Sequence, residues 1–314
     1  MSERLSVAVV GGGVWGRSLA SAAARTGCNV LLISRRERDA PEGVRSTKEI
    51  AEAARSRIVL LAVPSAHAVA VAAELGPHLN GGHFLVHGVR GLIGDNLRTV
   101  SEAVRDEMPV RRLGALGGPV LATELESGLP SMMVVGSRYL ELREAVIEAF
   151  GSEALRVYPT TDLIGLEWAS ALTGCLAIAI GYAFGAGLGP GLVAAFTTRA
   201  VHEAARVAYA AGGEHATLLD LAGLGDLLAA VGQRDRPEIV LGRCLAEGKS
   251  LDEASKAAGE RIEAVALLPK LQAWALAKKV DAPILSTIAT GLLKGRPSDA
   301  LVRDLMVAPL APLS

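Results

Sequence analysis

The chain has 314 residues, half of them hydrophobic, and its 32 basic side chains are balanced by 33 acidic ones. A chain of this length is expected to form two domains, and the balanced charge argues against a nucleic-acid-binding protein, which would carry a basic stripe. The three cysteines, Cys28, Cys175 and Cys244, have the spacing of neither a metal site nor a disulfide framework. We therefore expect reduced cysteines, no metal and a cytoplasmic location.

Short apolar segments alternate with helical patterns in the first half of the chain. The predicted strands cover residues 5–10, 29–33, 58–63, 83–87, 113–116, 132–135 and 155–158. The predicted helices cover residues 14–25, 66–79, 96–107 and 140–150, and a capping box at residues 46–49 predicts one more short helix. This alternation indicates βαβ units and a mainly parallel sheet in a first domain over residues 1–159.

The second half is predicted to be an all-helical domain over residues 160–314. Its predicted helices cover residues 162–184, 192–211, 218–221, 226–231, 264–279, 283–293 and 298–305, and a capping box at residues 250–253 opens another. Residues 168–198 lack charged side chains and are long enough to cross a membrane. Because glycines and Pro190 interrupt this stretch, we predict a buried helix and no membrane span.

A glycine-rich turn follows the first predicted strand. Gly11, Gly13 and Gly16 fit the G-x-G-x-x-G pattern between a strand and a helix, which is the context in which the pattern indicates a dinucleotide-binding Rossmann domain. Gly11 permits the tight turn, Gly13 the approach of a pyrophosphate, and Gly16 close packing of the helix on the strand. The helix N-terminus then offers N–H groups to the phosphates.

The end of the second predicted strand indicates which dinucleotide binds. NAD-selective domains place an acidic residue there to bind the ribose 2′-hydroxyl group, whereas this chain has Ser34, Arg35 and Arg36. Two guanidinium groups can hold a 2′-phosphate. We therefore predict NADP as the cofactor, with NAD still possible.

Several motifs resemble the bacterial NAD(P)-dependent glycerol-3-phosphate dehydrogenase family over nearly the whole chain. They are residues 10–16, 61–65, 117–119 with 122–130, the T-R-x-x-x-E pattern at 198–203, residues 222–227, and Glu263. The resemblance implies a Rossmann domain followed by a helical domain, hydride transfer between NAD(P)H and dihydroxyacetone phosphate, and a role in glycerophospholipid metabolism. A homodimer is expected because the second domain is strongly apolar.

The resemblance also assigns roles to individual residues. Besides the three glycines and the two arginines, cofactor binding is expected of Val14, Trp15, Pro64, Ala122 and Glu263. Substrate binding is expected of Gly118, Arg234 and Arg236, and catalysis of Arg90, Thr173 and Asp226.

This sequence departs from the family at both of its lysines. Arg90 stands where the first lysine is expected and can polarise a carbonyl, but it cannot release a proton near neutral pH. Thr173 aligns with the second lysine and carries no charge, and the phosphate-gripping S-R-N segment aligns with residues 236–238. The acid is therefore not identified, although His87 at the end of a strand is a candidate.

Three functions remain open from the sequence. The leading hypothesis is reduction of dihydroxyacetone phosphate or a similar small phosphorylated ketone by NADPH. The second is a related reductase acting on a different small hydroxy acid. The third is a protein that binds NADP without catalysis, because each lost electrostatic group costs about 10²–10³ in rate unless another group replaces it.

Overall fold

The first half of the chain folds around one sheet. The structure is a computed structural model, which describes residues 4–37, 39–259 and 262–292. In its described part the sheet has eight strands: Ser6–Val10 (β1), Asn29–Ile33 (β2), Val44–Thr47 (β3), Ile58–Leu61 (β4), Phe84–His87 (β5), Arg112–Gly117 (β6), Ser131–Gly136 (β7) and Leu155–Thr160 (β8). Their order is β3-β2-β1-β4-β5-β6-β7-β8, and every neighbouring pair is parallel except β6 with β7. The predicted mainly parallel sheet is confirmed.

The helices of this half connect the strands. They are Val14–Arg25 (α1), Ser65–Leu75 (α2), Val100–Arg105 (α3), Ala122–Ser127 (α4) and Leu140–Phe150 (α5), with 3₁₀ turns at Ile50–Arg55 and Gly76–His78. Alternate residues of β1 face opposite sides of the sheet, so Val7 and Val9 pack in one apolar cluster and Ala8 and Val10 in another. A buried strand of this kind has no polar face, which explains the continuous apolar runs in the sequence.

The remaining described residues are helical. The helices are Leu163–Gly185 (α6), Pro190–Ala210 (α7), His215–Leu219 (α8), Asp226–Gly232 (α9), Pro237–Ala246 (α10), Leu251–Ala257 (α11), Glu263–Lys278 (α12) and Pro283–Thr287 (α13), with π-helical turns at Leu221–Gly225 and Ile288–Leu292. The predicted helix over residues 298–305 lies outside the described residues. The Rossmann-like sheet followed by a helical region agrees with the predicted fold class.

Contacts divide the chain into two compact units. One takes in Arg98–Glu167 and the chain up to Ile93, and the other takes in Gly94–Leu97 and the chain from Trp168 onward. A domain boundary after residue 159 stays a prediction.

Some local predictions were wrong. The capping box at residues 46–49 does not form, because Ser46 and Thr47 pair with Leu32 and Ile33 in the parallel sheet, and the short helix that follows is a 3₁₀ helix that begins only at Ile50. The helix predicted over residues 96–107 begins only at Val100, where Thr99 forms the capping box with Glu102. Helices α4 and α10 were not predicted at all. The capping box of α11, between Ser250 and Glu253, is confirmed.

The most apolar helix is α6, and 94% of its most hydrophobic window is buried inside the protein. A second stretch long and apolar enough to cross a membrane covers residues 215–232 and is 33% buried. It consists of α8, a π-helical turn and α9. Burial of α6 agrees with the prediction of a core helix, which is hydrophobic all round.

Candidate active site

The carboxyl edge of the sheet contains a topological switch point. Strand β1 lies between β2 and β4, so the chain leaves β1 toward one side and returns on the other. Open parallel sheets bind ligands in the crevice at such a point. The glycine turn after β1 and the turn at Pro64 after β4 both lie there, which makes this edge the candidate site.

The glycine turn has the tight packing that its sequence predicts. Gly11 has a φ of +130°, and a Cβ there would lie 2.1 Å from the carbonyl oxygen of Ala62. A Cβ on Gly16 would lie 1.9 Å from the carbonyl oxygen of Gly11. Both positions therefore need glycine for the turn to sit against β4 and for α1 to pack beneath it.

Gly13 differs from these two glycines. It is the N-cap of α1, its φ is −71°, and a Cβ at this position would have no atom within 4 Å. Among the described residues, the helix thus begins with open space beside Gly13 and without a capping hydrogen bond from the N-cap side chain. A phosphate fits this cradle, because the N–H groups and the helix dipole both favour an anion. The residues present therefore fit a dinucleotide.

The end of β2 lies directly beside the glycine turn. A Cβ on Gly12 would lie 2.3 Å from Oγ of Ser34, and this hydroxyl donates a hydrogen bond to the carbonyl oxygen of Arg36 at 2.8 Å. Arg35 and Arg36 are exposed. The position that carries an acid in NAD-selective domains is therefore a small hydroxyl followed by two accessible cations.

Arg90 lies in the turn after β5. It is half-buried, and the next residue, Gly91, has a φ of +134°. A Cβ on Gly88 would lie 2.4 Å from Nε1 of Trp15, so this turn packs against the aromatic side chain of the glycine loop. The predicted cation and the predicted cofactor loop thus meet at one edge of the sheet.

The other predicted residues of this unit follow neighbouring strands or begin helices. Pro64 is the N-cap of α2, Gly118 follows β6 with a φ of +93°, and Ala122 is the first residue of α4. Val14, the first residue of α1, is 57% exposed. Since β4, β5 and β6 are adjacent and parallel, the turns after them lie along the same edge.

Two of the three predicted polar residues between α8 and α10 form an ion pair, and the third lies on an aromatic ring. Asp226 is fully buried, and its Oδ1 lies 3.5 Å from Nη1 of Arg236. The Nε atom of Arg236 donates to Oε2 of Glu238 at 3.0 Å. The exposed Arg234 instead lies over the ring of Phe184, at 3.6 Å from its centroid. The charge of Arg236 is therefore shared between two carboxylates, an arrangement that the sequence did not reveal.

Glu238, one of the two carboxylates beside Arg236, also lies near the middle of α6. A Cβ on Gly174 would lie 3.6 Å from Oε1 of Glu238 and 3.8 Å from Cβ of Ala264. Thr173, the preceding residue, is buried, and Glu263 begins α12 just before Ala264. Burial raises the pKa of Cys175, and the charge of Glu238 adds to that effect. Glu238 therefore lies beside Gly174, and Gly174 lies near Ala264; these two residues are the sequence neighbours of Thr173 and Glu263.

Sequence reasoning missed two carboxylates. Glu238 aligns with the family's S-R-N segment, and the structure shows that its carboxylate pairs with Arg236. Glu167 was not singled out, yet its side chain is 1% exposed and binds His87. A glutamate within an otherwise apolar helix was the signal that could have found it, because a buried charge needs a partner.

Comparisons with known proteins agree with this architecture. Residues 38–142 match a family model described as the NAD-dependent glycerol-3-phosphate dehydrogenase N-terminus, and residues 162–303 match the model of its C-terminus. A glycerol-3-phosphate dehydrogenase (NAD(P)+) from Bradyrhizobium diazoefficiens is 32% identical over 97% of each chain. One from Rhodopseudomonas palustris strain TIE-1 is 33% identical over 99% of each chain.

Solved structures show the same fold. The crystal structure of glycerol-3-phosphate dehydrogenase from Coxiella burnetii has a TM-score of 0.89 and 27% identity, covering 97% of this chain and 99% of that one. A ketopantoate reductase from Ralstonia eutropha has a TM-score of 0.58 and 17% identity, covering 95% of this chain and all of that one. This second similarity concerns the fold alone.

Proposed function

The chain belongs to the NAD-dependent glycerol-3-phosphate dehydrogenase family, and from this premise we propose that it transfers a hydride between NADPH and dihydroxyacetone phosphate or a similar small phosphorylated ketone. The observation that carries the proposal is the open cradle at Gly13, where the N-terminus of α1 can receive a pyrophosphate. When bound, the nicotinamide dinucleotide supplies the hydride.

Arg90 is the residue that we assign to the carbonyl oxygen. Its turn packs on Trp15 of the glycine loop through Gly88, so the backbone that carries Arg90 lies beside the loop that we assign to the dinucleotide. A fixed cation of this kind stabilises the negative charge that develops on a carbonyl oxygen during reduction. Because a guanidinium group keeps its proton near neutral pH, Arg90 would polarise the substrate and leave proton donation to another group.

The helical unit would supply polar contacts to the substrate. Asp226 and Arg236 form a buried ion pair, and we assign to them the organisation of these contacts. Thr173, at the position where the family has a lysine, offers only a hydroxyl group. Glu263 at the start of α12 and Arg234 beside Phe184 keep the cofactor and substrate roles that the family resemblance suggests.

NADP is the cofactor that we propose in preference to NAD. The support is the end of β2, where Ser34 lies against Gly12 and Arg35 and Arg36 are exposed. Residues 34–36 include no carboxylate that would repel a 2′-phosphate, and guanidinium groups bind phosphate with paired hydrogen bonds.

A second candidate is a related reductase whose substrate has no phosphate. The specific observation in its favour is Arg236, whose guanidinium is already shared by Asp226 and Glu238. Glu238 also stands within the segment that aligns with the family's phosphate-gripping residues, and a carboxylate repels a phosphate. A panel of small ketones and keto acids with and without phosphate separates the two candidates.

The test of the leading proposal is turnover by the purified protein. NADPH oxidation is followed by absorbance with dihydroxyacetone phosphate as substrate, in the wild type, in Arg90→Met and in Arg111→Met, which removes an exposed arginine elsewhere in the same unit. We expect Arg90→Met to lower kcat by about 10²–10³, the usual cost of a preorganised electrostatic group, and Arg111→Met to match the wild type. Binding of NADPH without turnover of any ketone would overturn the proposal and favour a non-catalytic role.

We also propose a homodimer in the cytoplasm. The support for self-association is that the helical unit exposes large apolar side chains, including Leu276 at 80% and Tyr209 at 64% exposure, whose burial in an interface would remove apolar area from water. Light scattering coupled to size-exclusion chromatography gives the mass directly, and a monomeric mass would contradict the dimer.

A further inference from the structure

A buried polar cluster lies at the carboxyl end of β5, directly before the turn that carries Arg90. His87, Ser101 and Glu167 are each 2% exposed or less. Oε1 of Glu167 lies 3.0 Å from Nε2 of His87 and accepts a hydrogen bond from the backbone N–H of Ser101 at 2.9 Å. The hydroxyl of Ser101 also lies 3.2 Å from Nε2 of His87. Because His87 is 2% exposed, we look for a role that needs no direct contact with the substrate, and its role as the acid stays a prediction.

The hydrogen bonds of His87 determine its tautomer. The backbone N–H of Val89 donates to Nδ1 at 3.3 Å, so Nδ1 must be the unprotonated nitrogen of the ring. The proton then lies on Nε2 and is donated to the carboxylate of Glu167. Glu167 thereby holds the ring in the one tautomer that can accept a hydrogen bond from Val89.

Val89 is the residue before Arg90, so this hydrogen bond fixes the backbone of the catalytic turn. The N–H of Gly88 donates to the carbonyl oxygen of Leu61 at 2.8 Å, and Gly88 also packs on Trp15. Together with the bond from Val89 to His87, these contacts hold two consecutive peptide groups ahead of Arg90. A side chain polarises a carbonyl efficiently only when its backbone is preorganised in this way.

We propose that His87 is a positioning residue for Arg90, acting through the backbone N–H of Val89, with Glu167 fixing its tautomer and the N-terminus of α3 fixing Glu167. The proposal rests on the proposed function, because it concerns the residue assigned to polarise the substrate carbonyl. The carboxylate is well placed for this task, since Ser101 lies in the first turn of α3, where backbone N–H groups favour a negative charge.

Two variants separate the two hydrogen bonds of the ring. In His87→Asn the amide oxygen can take the place of Nδ1 and accept from Val89, but the side chain is too short to reach Glu167. In His87→Gln the amide N–H can take the place of Nε2 and donate to Glu167, but the acceptor for Val89 is lost. We expect His87→Gln to lower kcat with dihydroxyacetone phosphate at least tenfold more than His87→Asn, while the Kd of NADPH changes by less than about threefold in both.

His83, the residue just before β5, provides a matched control at the other end of this strand. It is 8% exposed, its Nδ1 accepts from the backbone N–H of Asn80 at 3.0 Å, and its Nε2 lies 3.1 Å from the carbonyl oxygen of Ala54. His83→Gln should lower the melting temperature by an amount similar to His87→Gln and leave kcat unchanged. A purely structural role for His87 predicts the same result for both histidines.

Coupling to Arg90 completes the test. If His87 acts through Arg90, adding Arg90→Met to His87→Gln should lower kcat far less than it does in the wild type. Full additivity of the two effects, or an equal loss of kcat in His87→Gln and His87→Asn, would overturn the positioning role.

Hydrogen exchange separates this proposal from the proposed function. The peptide containing residues 88–91 should exchange faster in His87→Gln than in His87→Asn. Faster exchange with no wild-type turnover of any ketone would count against the proposed function alone, whereas unchanged exchange would overturn the role of His87 whatever the substrate.

Discussion

Gly13 provides a direct test of the cofactor cradle, because alanine at this position adds a methyl group that would contact a bound ligand but no neighbouring part of the protein. Its φ of −71° suits any residue, and a Cβ there would have no protein atom within 4 Å. Gly13→Ala should therefore leave folding nearly intact, at a cost of less than about 1 kcal/mol for an alanine at an N-cap. The methyl group would nevertheless occupy part of the open space at the N-terminus of α1 that we assign to the pyrophosphate.

The expected loss of affinity follows from hydrogen bonds to a charged group. Each such bond contributes about 1.5–3 kcal/mol, so losing or lengthening one raises the Kd of NADPH by about 10- to 100-fold. Isothermal titration calorimetry measures this Kd, and thermal unfolding measures stability. Wild-type affinity for NADPH in Gly13→Ala would refute the assignment of the cradle.

Two further glycines serve as controls for this experiment. Gly81 is an exposed turn residue whose Cβ would also meet no atom within 4 Å, so Gly81→Ala should change neither stability nor affinity. Gly16→Ala places a Cβ 1.9 Å from the carbonyl oxygen of Gly11, and it should destabilise the protein even without NADPH. The three variants together separate contact with the ligand from damage to the turn.

Three other perturbations test the cofactor choice, the buried ion pair and a titrating carboxyl group. Replacing Arg35 and Arg36 together by alanine should weaken NADPH binding about 10- to 100-fold, because one to two charge-assisted hydrogen bonds to the 2′-phosphate are lost. The Kd of NADH should stay unchanged, and equal weakening of both cofactors would contradict the preference for NADP. Arg236→Met should lower the free energy of unfolding by about 3 kcal/mol, since it removes this partner from the buried Asp226. Urea unfolding measures this change, and a decrease of less than about 1 kcal/mol would contradict that reasoning. Burial raises the pKa of Glu203 to about 7, so its ionisation costs more in the folded state, and stability should fall by up to about 3 kcal/mol as pH rises from about 4.5 to about 7. Glu203→Gln should flatten this pH dependence in urea unfolding, and an unchanged slope would assign the dependence to other groups.

The carboxylate of Glu203 illustrates why such a group is retained in spite of its cost. It lies on α7 and accepts hydrogen bonds from the backbone N–H groups of Ile284, at 2.9 Å from N to Oε2, and Leu285, at 2.7 Å from N to Oε1. These are N–H groups of the first turn of α13, which have no partner within their own helix. The charge thus stabilises a helix end, although desolvation opposes its ionisation.

Interactions between residues close in the chain were enough to predict several elements of the first half from the sequence. The spans of α1, β2 and α5 were predicted to the residue, because glycine turns and apolar periodicity act between residues close in the chain. The motif also predicts both close backbone contacts: that of Gly16 is local, with Gly11, whereas that of Gly11 is with Ala62, which follows β4.

Contacts between segments that are distant in the chain determined the features that the sequence did not predict. Residues 46 and 47 satisfy a helix-capping pattern, but hydrogen bonds to β2 place them in strand β3, since a sheet offers partners that an isolated helix start does not. The contact between His87 and Glu167 joins residues 80 positions apart, and the charge of Arg236 is shared by Asp226 and Glu238 only because α9 and α10 bring them together. Electrostatic interactions depend on the distance between groups in space and not on their separation in sequence. The sequence therefore determined the residues of the glycine cradle, while the tertiary structure alone determined which partners the charged side chains have.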